Sequence, residues 1–543
     1  MAIDLPPVMP PQIASQIQIQ ALADTNPAAI TASIAGIQVR VIGNEHLSNE
    51  QISQLLATVA TPSAAITALT RLYYNTGHLL VRVSYFRIDD TVTVLVEQAR
   101  VKGLRGDNQV LAHFASLIGD NDLSLDEFDR ARVLADMQAQ RAGLNYSVSY
   151  EQHYDNEVIL EFREREQDDY DSREFIAELN NKGSRFLGRY FGLAGFKQRF
   201  STGTELSLGY STSFEQFGEV VDGDQYQQVE LQVDHPFSFG LYGVELAHVE
   251  YERKSRPFAA EDSAALCLPP LIACPVSTAG EVVNLNANIN TVAMTGEQLL
   301  RSNPVRRWSV FERVEWVDSE IEASSQAEPV LGESYATFAL GAKYSRRGVL
   351  LGTPSYLKAQ IALKKGVGNK GSFNTASSDD VTVGARSAEF IMLEPKLGYK
   401  FTLAENYVLA LNFNGQFTDD TQLPQQQQFV LGGINSLSAY LPGVLIGDNG
   451  YFFHTAINAT HEVWGMKLES SIFAEYGATS FNANGPLGDY QGVADAGLRV
   501  QLQPGYGLES ELIAALPVMD NVADDRLLKA LEADFYWRLR WVF

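Results

Sequence analysis

Cysteine is nearly absent from this chain. Among 543 residues there are two, Cys267 and Cys274, and both lie in the segment CLPPLIAC. No histidine stands beside them at the spacing of a metal site. A structural disulfide closing a short loop, formed in an oxidising compartment, is therefore the preferred interpretation over two free thiols.

Long apolar runs are also missing. No stretch reaches the roughly 18 consecutive apolar residues of a transmembrane helix, although 45% of the residues are hydrophobic. Mean hydropathy is −0.11, as alternating strands would give. A soluble protein and a membrane β-barrel both remain open, because only helices and closed barrels satisfy every backbone group in lipid.

Basic residues are outnumbered, with 41 Lys and Arg against 66 Asp and Glu and a formal net charge of −25. This balance argues against nucleic acid as a partner, since phosphate binding needs clustered cations. The eight histidines are scattered, and neither H-E-x-x-H nor G-x-S-x-G occurs. No loop that could cradle phosphate is present. The sequence predicts no catalytic residue, no metal site and no cofactor.

The amino terminus shows no basic start followed by an apolar core, so we expect no signal peptide. Residues 1–35 form a Pro-, Ala- and Gln-rich segment. Within it, Pro11–Leu22 could form a short helix with proline in its first turn. A disordered tail is the alternative.

Two consecutive segments, 36–98 and 99–166, share a predicted order of elements. The first has the order β-α-α-β-β, and the second repeats it as a strand, a helix and two paired strands. In the first, Ile37–Ile42 alternates like a strand, and Ser48 with Gln51 forms a capping box that opens a helix. In the second, Ser124 and Glu127 repeat that capping box. Two tandem copies of about 65 residues indicate a modular arm.

Residues 173–543 carry short alternating strands separated by turns, which is typical of a transmembrane barrel. We count about 16 strands, an even number as bacterial barrels require. Tight turns alternate with long polar loops.

The last nine residues have the clearest pattern. Phe535, Trp537, Leu539, Trp541 and Phe543 fall on one face of a strand, with Tyr536, Arg538, Arg540 and Val542 on the other. This predicts an aromatic face toward lipid, with Arg538 and Arg540 toward a water-filled lumen. The strand would pair with the first barrel strand, near 174–179, because a closed barrel leaves no edge. A closing strand of a soluble domain is the alternative.

The two modules resemble POTRA domains, and with one barrel behind them the chain resembles the two-partner secretion transporters (TpsB type, ShlB/FhaC/HecB-like) of the BamA-like superfamily. Asn75–Arg82 resembles a strand opening of the first POTRA module, and Asn181–Arg185 resembles the "N-x-G-S" hairpin. Gln428–Gly433, which includes Gly432 and Gly433, resembles "F-x-L-G-G", and Gly447–Gly450 resembles "G-D-x-G".

The resemblance implies a loop that folds back into the pore. Its tip, "V-R-G-F/Y" in the family, corresponds here to Leu437, Ser438, Ala439 and Tyr440. The wall motif "F-x-D-x-G" corresponds to Phe473, Glu475 and Gly477. Ser438 replaces the arginine that pairs with the wall acid, and losing one partner of a buried ion pair is costly. We therefore predict a tip held less tightly or by a different contact, with Glu475 meeting water, another arginine or a neutral state.

The resemblance also implies a function: export of a large secreted TpsA-type exoprotein, such as an adhesin, haemolysin or contact-inhibition toxin. The barrel would sit in outer-membrane lipid with the POTRA domains in the periplasm, and Phe543 would be an insertion signal for the barrel assembly machinery. The POTRA edge with Val81, Val83 and Tyr85 would capture an extended client by β-augmentation, or be purely structural. The amino-terminal helix could plug the pore.

Two other functions remain open. A BamA-like assembly factor usually carries three or five modules, whereas two are counted here. A general diffusion porin would lack them. The module count favours the secretion transporter.

Overall fold

Two α+β units precede a closed antiparallel β-barrel of sixteen strands in the computed structural model. The residues it describes are 2–15, 17, 29–153, 156–183, 188–214, 225–254, 284–323, 331–370, 386–483, 488–522, 528–529 and 531–543. The predicted disulfide between Cys267 and Cys274 lies outside them. None of the helices within these ranges is long and apolar enough to cross a membrane.

The first unit is a five-stranded sheet in the order β1-β4-β5-β3-β2, packed against two helices. Its capping box is present, since Ser48 Oγ accepts the Gln51 N–H at 3.2 Å. The buried face of α1 carries Ile52 and Leu56 over strand residues such as Val39. The elements are β1 (Gln12–Ile13), β2 (Ile30–Ile34), β3 (Ile37–Ile42), α1 (Asn49–Thr58), α2 (Pro62–Asn75), β4 (Val81–Ile88) and β5 (Thr91–Gln98).

The start of the helix predicted over Pro11–Leu22 is a strand instead. Ile13 of β1 lies opposite Tyr85 of β4 in a parallel pair, and the Ala14 N–H donates to the Tyr85 carbonyl at 2.9 Å. The reason is tertiary: β4 is otherwise an edge strand, and its unpaired backbone groups gain partners. Residues 16 and 18–28, which cover most of the rest of that prediction, are outside the described ranges.

The second unit has a three-stranded sheet in the order β6-β8-β7 and two helices. Its capping box is also present, with the Glu127 carboxylate accepting the Ser124 N–H at 3.0 Å. Phe114 packs between Phe128 and Phe162 in the core, which also buries Ile3 of the amino-terminal segment. The elements are β6 (Arg100–Arg105), α3 (Asn108–Phe114), a 3-10 turn (Ala115–Leu117), α4 (Leu125–Arg141), β7 (Leu144–Gln152) and β8 (Glu157–Glu166).

The barrel confirms the predicted strand number. The strands are long, up to 20 residues. The barrel strands are β9 (Arg173–Asn180), β10 (Tyr190–Arg199), β11 (Glu205–Phe214), β12 (Gln225–Phe237), β13 (Gly240–Lys254), β14 (Asn284–Ser302), β15 (Arg306–Ala323), β16 (Leu331–Leu350), β17 (Thr353–Lys370), β18 (Ile391–Ala404), β19 (Tyr407–Thr418), β22 (Asn449–Val463), β23 (Met466–Ser480), β24 (Gln491–Gly505), β25 (Leu508–Asn521) and β26 (Tyr536–Val542); a separate hairpin is formed by β20 (Phe429–Leu431) and β21 (Leu445–Gly447).

The last strand closes the barrel on the first, as predicted. Leu539 lies opposite Leu179, and Phe175 and Phe543 exchange two backbone hydrogen bonds of 2.7 and 2.9 Å. The predicted period of two also holds: Trp541 and Phe543 are 50% and 60% exposed on the outer face, whereas Tyr536 is 1% exposed inside. Closure therefore leaves no open edge in a lipid environment.

Tight turns gather at one end of the barrel, and α4 rests on that end. The Gln138 side chain donates to the Thr202 carbonyl at 3.2 Å, and Arg141 pairs with Asp234 at 2.5 Å. At the other end of the helix, Asp126 pairs with Arg301 at 2.6 Å. The second unit is thus fixed to the barrel end that carries the short turns.

Candidate functional site

The connection between β19 and β22, residues 419–448, folds into the barrel; we call it the lumen loop. It contains the β20–β21 hairpin and the tip residues that the sequence singled out. Its apolar side chains pack on inward-facing residues of the strands from β22 to β26. The buried cluster includes Leu431, Leu437, Tyr440, Leu445, Phe452, Phe473, Val493, Ile513 and Tyr536.

The base of the lumen loop is tied by Asp448, the acid of the predicted "G-D-x-G" motif. Its two carboxylate oxygens accept the Leu423 N–H at 2.8 Å and the Asn482 N–H at 2.9 Å. The Gln416 side chain donates to the carbonyls of Gln427 and Asp448 at 2.9 and 3.0 Å. These bonds fix where the loop turns into the lumen.

One part of the lumen loop reaches the strands β15 to β17. The Gln427 side chain donates to Glu315 at 3.2 Å and accepts from Lys364 at 3.1 Å. The Gln425 N–H donates to Glu333 at 3.0 Å. Because the tip contacts β23 and β24 instead, the loop crosses the lumen between two walls.

The tip is bound to the other wall through its main chain. The Ser438 N–H donates to Glu475 Oε2 at 2.7 Å, and the Ala439 N–H donates to Asp495 Oδ2 at 2.8 Å. The side chain of His454 completes the row, with Nδ1 2.9 Å from Glu475 Oε1. His454, Glu475 and Asp495 occupy paired positions on β22, β23 and β24. Two hydrogen bonds from the tip backbone to carboxyl groups thus take the place of the arginine–carboxylate pair that the family motif implies.

The missing arginine leaves a compact site. Ser438 is 1% exposed, and its hydroxyl has no hydrogen-bond partner in the described part of the chain. No arginine pairs with Glu475 in the described part of the chain; its carboxylate contacts the His454 imidazole and the Ser438 N–H. The tip is therefore held by a different contact, one of the two outcomes that the replacement by Ser438 predicts.

Glycines allow the loop to turn within this space. Gly432 has φ of +110°, and a Cβ there would lie 2.2 Å from the Leu441 carbonyl oxygen. The Gly433 N–H donates to the Tyr440 carbonyl at 2.8 Å, which closes the turn. On the wall, a Cβ at Gly477 would lie 2.6 Å from Leu431. Gly432 is therefore required by its positive φ and by the backbone beside it, whereas a side chain at Gly477 would require the Leu431 side chain to move.

A further segment, just before β26, covers the tip from the other side. The Ala533 N–H donates to the Ala439 carbonyl at 2.8 Å, and the Leu441 N–H donates to the Leu531 carbonyl at 2.7 Å. The Tyr536 hydroxyl donates to the Tyr440 carbonyl at 2.6 Å. The last strand is thus part of the site as well as the seam of the barrel.

Sequence reasoning brought the tip and Glu475 together but missed His454, Asp495 and Tyr536. Strand alternation would have placed Asp495 on the inner face with Glu475, since both are polar positions between outward apolar ones. Of the two predicted lumen arginines, Arg538 pairs with Glu511 at 2.9 Å and Glu509 at 3.4 Å. Arg540 shares its inward face.

The predicted capture strand lies at the edge of the first unit. Val81 and Val83 are buried in its core, so only the backbone of β4 is available to a partner. Tyr85 lies beside β1, which occupies the middle of this edge.

Comparisons with known proteins agree with this geometry. The family model "Haemolysin secretion/activation protein ShlB/FhaC/HecB" matches residues 318–500, which contain the lumen loop and all three wall residues. Comparison with the curated protein sequences finds no match.

Several solved structures share the fold. CdiB from Escherichia coli superposes with a TM-score of 0.69 at 13% identity, covering 98% of this chain and 99% of that chain. CdiB from Acinetobacter baumannii gives 0.60 at 14% identity, covering 95% and 90%. BamA from Haemophilus ducreyi lacking POTRA domains 1–3 gives 0.51 at 14% identity, covering 94% and 100%. At these identities the likeness concerns the fold.

Proposed function

We infer that the chain belongs to the haemolysin secretion/activation family and is a two-partner secretion transporter, an outer-membrane protein that exports a secreted partner protein through its barrel. The observation that carries this function is the lumen loop crossing the barrel inside the segment that the family model matches. The family is one of transporters rather than enzymes. The α+β units lie on the periplasmic side.

We propose that the two α+β units are POTRA domains that capture the partner in an unfolded, extended form. The support is the edge of β4, whose backbone already accepts one extended segment, β1. Main-chain pairing tolerates varied sequence, which suits an unfolded client. A client strand would have to displace β1 before it could pair along the whole edge.

We further propose that the lumen loop is the gate. It touches β15 to β17 through Gln425 and Gln427, and the opposite wall through Ser438 and Ala439. A polypeptide could pass only after at least one of these attachments has opened. The tip is the better candidate for the attachment that opens, since both of its hydrogen bonds to carboxyl groups come from the adjacent residues Ser438 and Ala439.

The partner we propose is a large exoprotein. Deletion of the gene for this transporter tests the function: we expect one secreted protein to disappear from the medium while other outer-membrane barrels keep their levels. Loss of many barrels would instead favour an assembly factor, the alternative that the weaker likeness to BamA keeps open. Complementation with the full chain is the control.

A further inference from the structure

Two histidines of the first unit and one aspartate of the second meet at the junction of the two units. His46 Nδ1 lies 3.4 Å from Asp122 Oδ2, and His78 Nδ1 lies 3.5 Å from Asp122 Oδ1. One ligand-capable atom from each residue lies within 4.8 Å of the other two. Within the described ranges, no other group of three His, Cys, Asp or Glu residues meets this criterion.

The backbones that carry His78 and Asp122 are joined to each other. The Leu79 N–H donates to the Leu123 carbonyl at 2.9 Å, and the Leu125 N–H donates to the Gly77 carbonyl at 2.7 Å. These hydrogen bonds run on either side of a bridge between His78 and the second unit. Main-chain pairing therefore holds the two residues next to each other.

The position of His46 is fixed by a second layer of contacts. Asn44 accepts the Leu47 N–H at 3.1 Å and donates to the Leu47 carbonyl at 2.7 Å, which closes the turn containing His46. The Tyr73 hydroxyl donates to the same Asn44 side chain, and the Tyr73 ring packs edge-on against His78. Such outer contacts orient ligands in established metal sites.

The two imidazole rings present the same nitrogen to the same carboxylate. They stack with centroids 4.5 Å apart and planes 25° apart. No Lys or Arg in the described residues pairs with Asp122. The side chains of His46, His78 and Asp122 are 20%, 22% and 48% exposed, so an ion could reach them from solvent.

We propose that His46, His78 and Asp122 bind a Zn²⁺ ion that joins the two α+β units. Imidazole nitrogen and carboxylate oxygen are common Zn²⁺ ligands, and three of them leave a fourth position for water. Ligand atoms around one tetrahedral Zn²⁺ lie about 3.4 Å apart, given bonds of about 2.1 Å. The nitrogens of His46 and His78 lie at about this spacing from the carboxylate, but from different oxygens, 3.4 Å from Oδ2 and 3.5 Å from Oδ1. One ion would therefore be held by both oxygens, or by one oxygen after rotation of the Asp122 side chain. The site is independent of the transport function proposed above.

Sequence spacing does not reveal this site, and the proposal departs from the sequence-based prediction of no metal site. The histidines lie far apart in the chain and belong to no ligand motif. The third ligand comes from the other unit, and only the pairing at the junction makes it a neighbour.

Isothermal titration of Zn²⁺ into the detergent-solubilised full chain, freed of metal by a chelator, tests the proposal. We expect one strong site per chain in the wild type and in His153→Ala, which removes an exposed histidine of the second unit. His46→Ala and Asp122→Asn should lose that site, weakening Zn²⁺ binding at least tenfold. Absence of a strong site in the wild type, or its survival in both variants, would overturn the proposal.

A distance measurement tests the joining role. Spin labels at Glu50→Cys and Glu164→Cys, one in each unit, would be read in chains with Cys267 and Cys274 changed to serine. We expect Zn²⁺ to narrow the distance distribution, and Asp122→Asn to abolish the narrowing. If stoichiometric Zn²⁺ leaves the wild-type distribution unchanged, the ion does not join the units and the proposal fails.

Discussion

The backbone N–H of Ser438 bonds to Glu475 at 2.7 Å, while the Ser438 hydroxyl has no partner in the described part of the chain. The bond that holds the tip therefore depends on the backbone at position 438 and not on the side chain there. A side chain can change at Ser438 without touching the hydrogen bond. A change at Glu475 removes it.

We therefore expect Ser438→Ala to leave loop docking within about 0.5 kcal/mol of the wild type, as for a substitution that removes no contact. Glu475→Ala should weaken docking by about 1.5–3 kcal/mol, the usual contribution of a hydrogen bond to a charged group. The open probability in planar bilayers measures both. The double variant should show coupling near zero, and a strong coupling would mean that the Ser438 side chain contributes to the bond.

Removing Phe543 should reduce barrel insertion several-fold. The residue exchanges two backbone hydrogen bonds with Phe175, and their rings stack with centroids 5.9 Å apart. The matched variant Phe543→Ala keeps the backbone bonds and removes only the ring. Heat-modifiability on gels and protease resistance measure assembly. If deletion leaves insertion unchanged, the terminal residue is no insertion signal and only its closing role remains.

Arg538→Ala should make the pore more cation-selective, because it removes the positive charge that pairs with Glu509 and Glu511, of which Glu511 keeps a second guanidinium partner, Arg499 at 3.4 Å. We expect Arg540→Ala to shift selectivity in the same direction. Reversal potentials under a salt gradient measure the effect. Arg163→Ala, which removes the same charge from the second unit, is the control and should leave the reversal potential unchanged.

The second unit should lose stability in mild acid. Burial lowers the pKa of His113 below its ordinary 6.5, and the hydrogen bond with Gln138 opposes this only in part. A lowered folded-state pKa means that stability is complete above pH 6.5 and falls as the pH drops below that value toward the folded-state pKa. Protonation would also add a donor at Nδ1, which is buried with no partner in the described residues.

Protease sensitivity of the second unit at pH 7.5 and pH 5.5 tests this dependence. His113→Phe should flatten it by removing the buried titrating group. His153→Ala, at an exposed position, should keep it. Equal pH sensitivity in wild type and His113→Phe would assign the effect to another group.

Weakening β1 should help client capture, if capture uses the β4 edge. Ala14→Pro removes the N–H that donates to the Tyr85 carbonyl, whereas Ala14→Ser keeps it. We expect several-fold tighter binding of the unfolded partner, identified by the deletion experiment, to Ala14→Pro only. Equal affinities measured by fluorescence anisotropy would show that β1 does not compete with the client.

Features fixed by local sequence could be predicted. The period of two in Phe535–Phe543 and the capping boxes at Ser48 and Ser124 depend only on nearby residues, and all are present. The helix α3 was not predicted, because it spans only seven residues. The strand β1 could not be read locally, since its partner Tyr85 lies on a distant element.

The site was predictable where a motif marked it. Glu475 and the tip were predicted from the family resemblance. Asp495 was not predicted, because it lies on β24, where no family motif was recognised. Its role depends on the register that pairs it with Glu475. His454 was lost among scattered histidines for the same reason. Inward and outward faces can be assigned from alternation, but the register between strands needs the folded barrel.

The attachment of the tip also has an evolutionary consequence. Every residue except proline offers the same backbone N–H, so replacement of Ser438 or Ala439, which are 1% and 0% exposed, by another small residue need not weaken the bonds to the wall. Selection on the attachment falls instead on Glu475 and Asp495, which supply the acceptors. Small substitutions at the tip would therefore be tolerated, whereas loss of either carboxyl group would remove one of the two bonds.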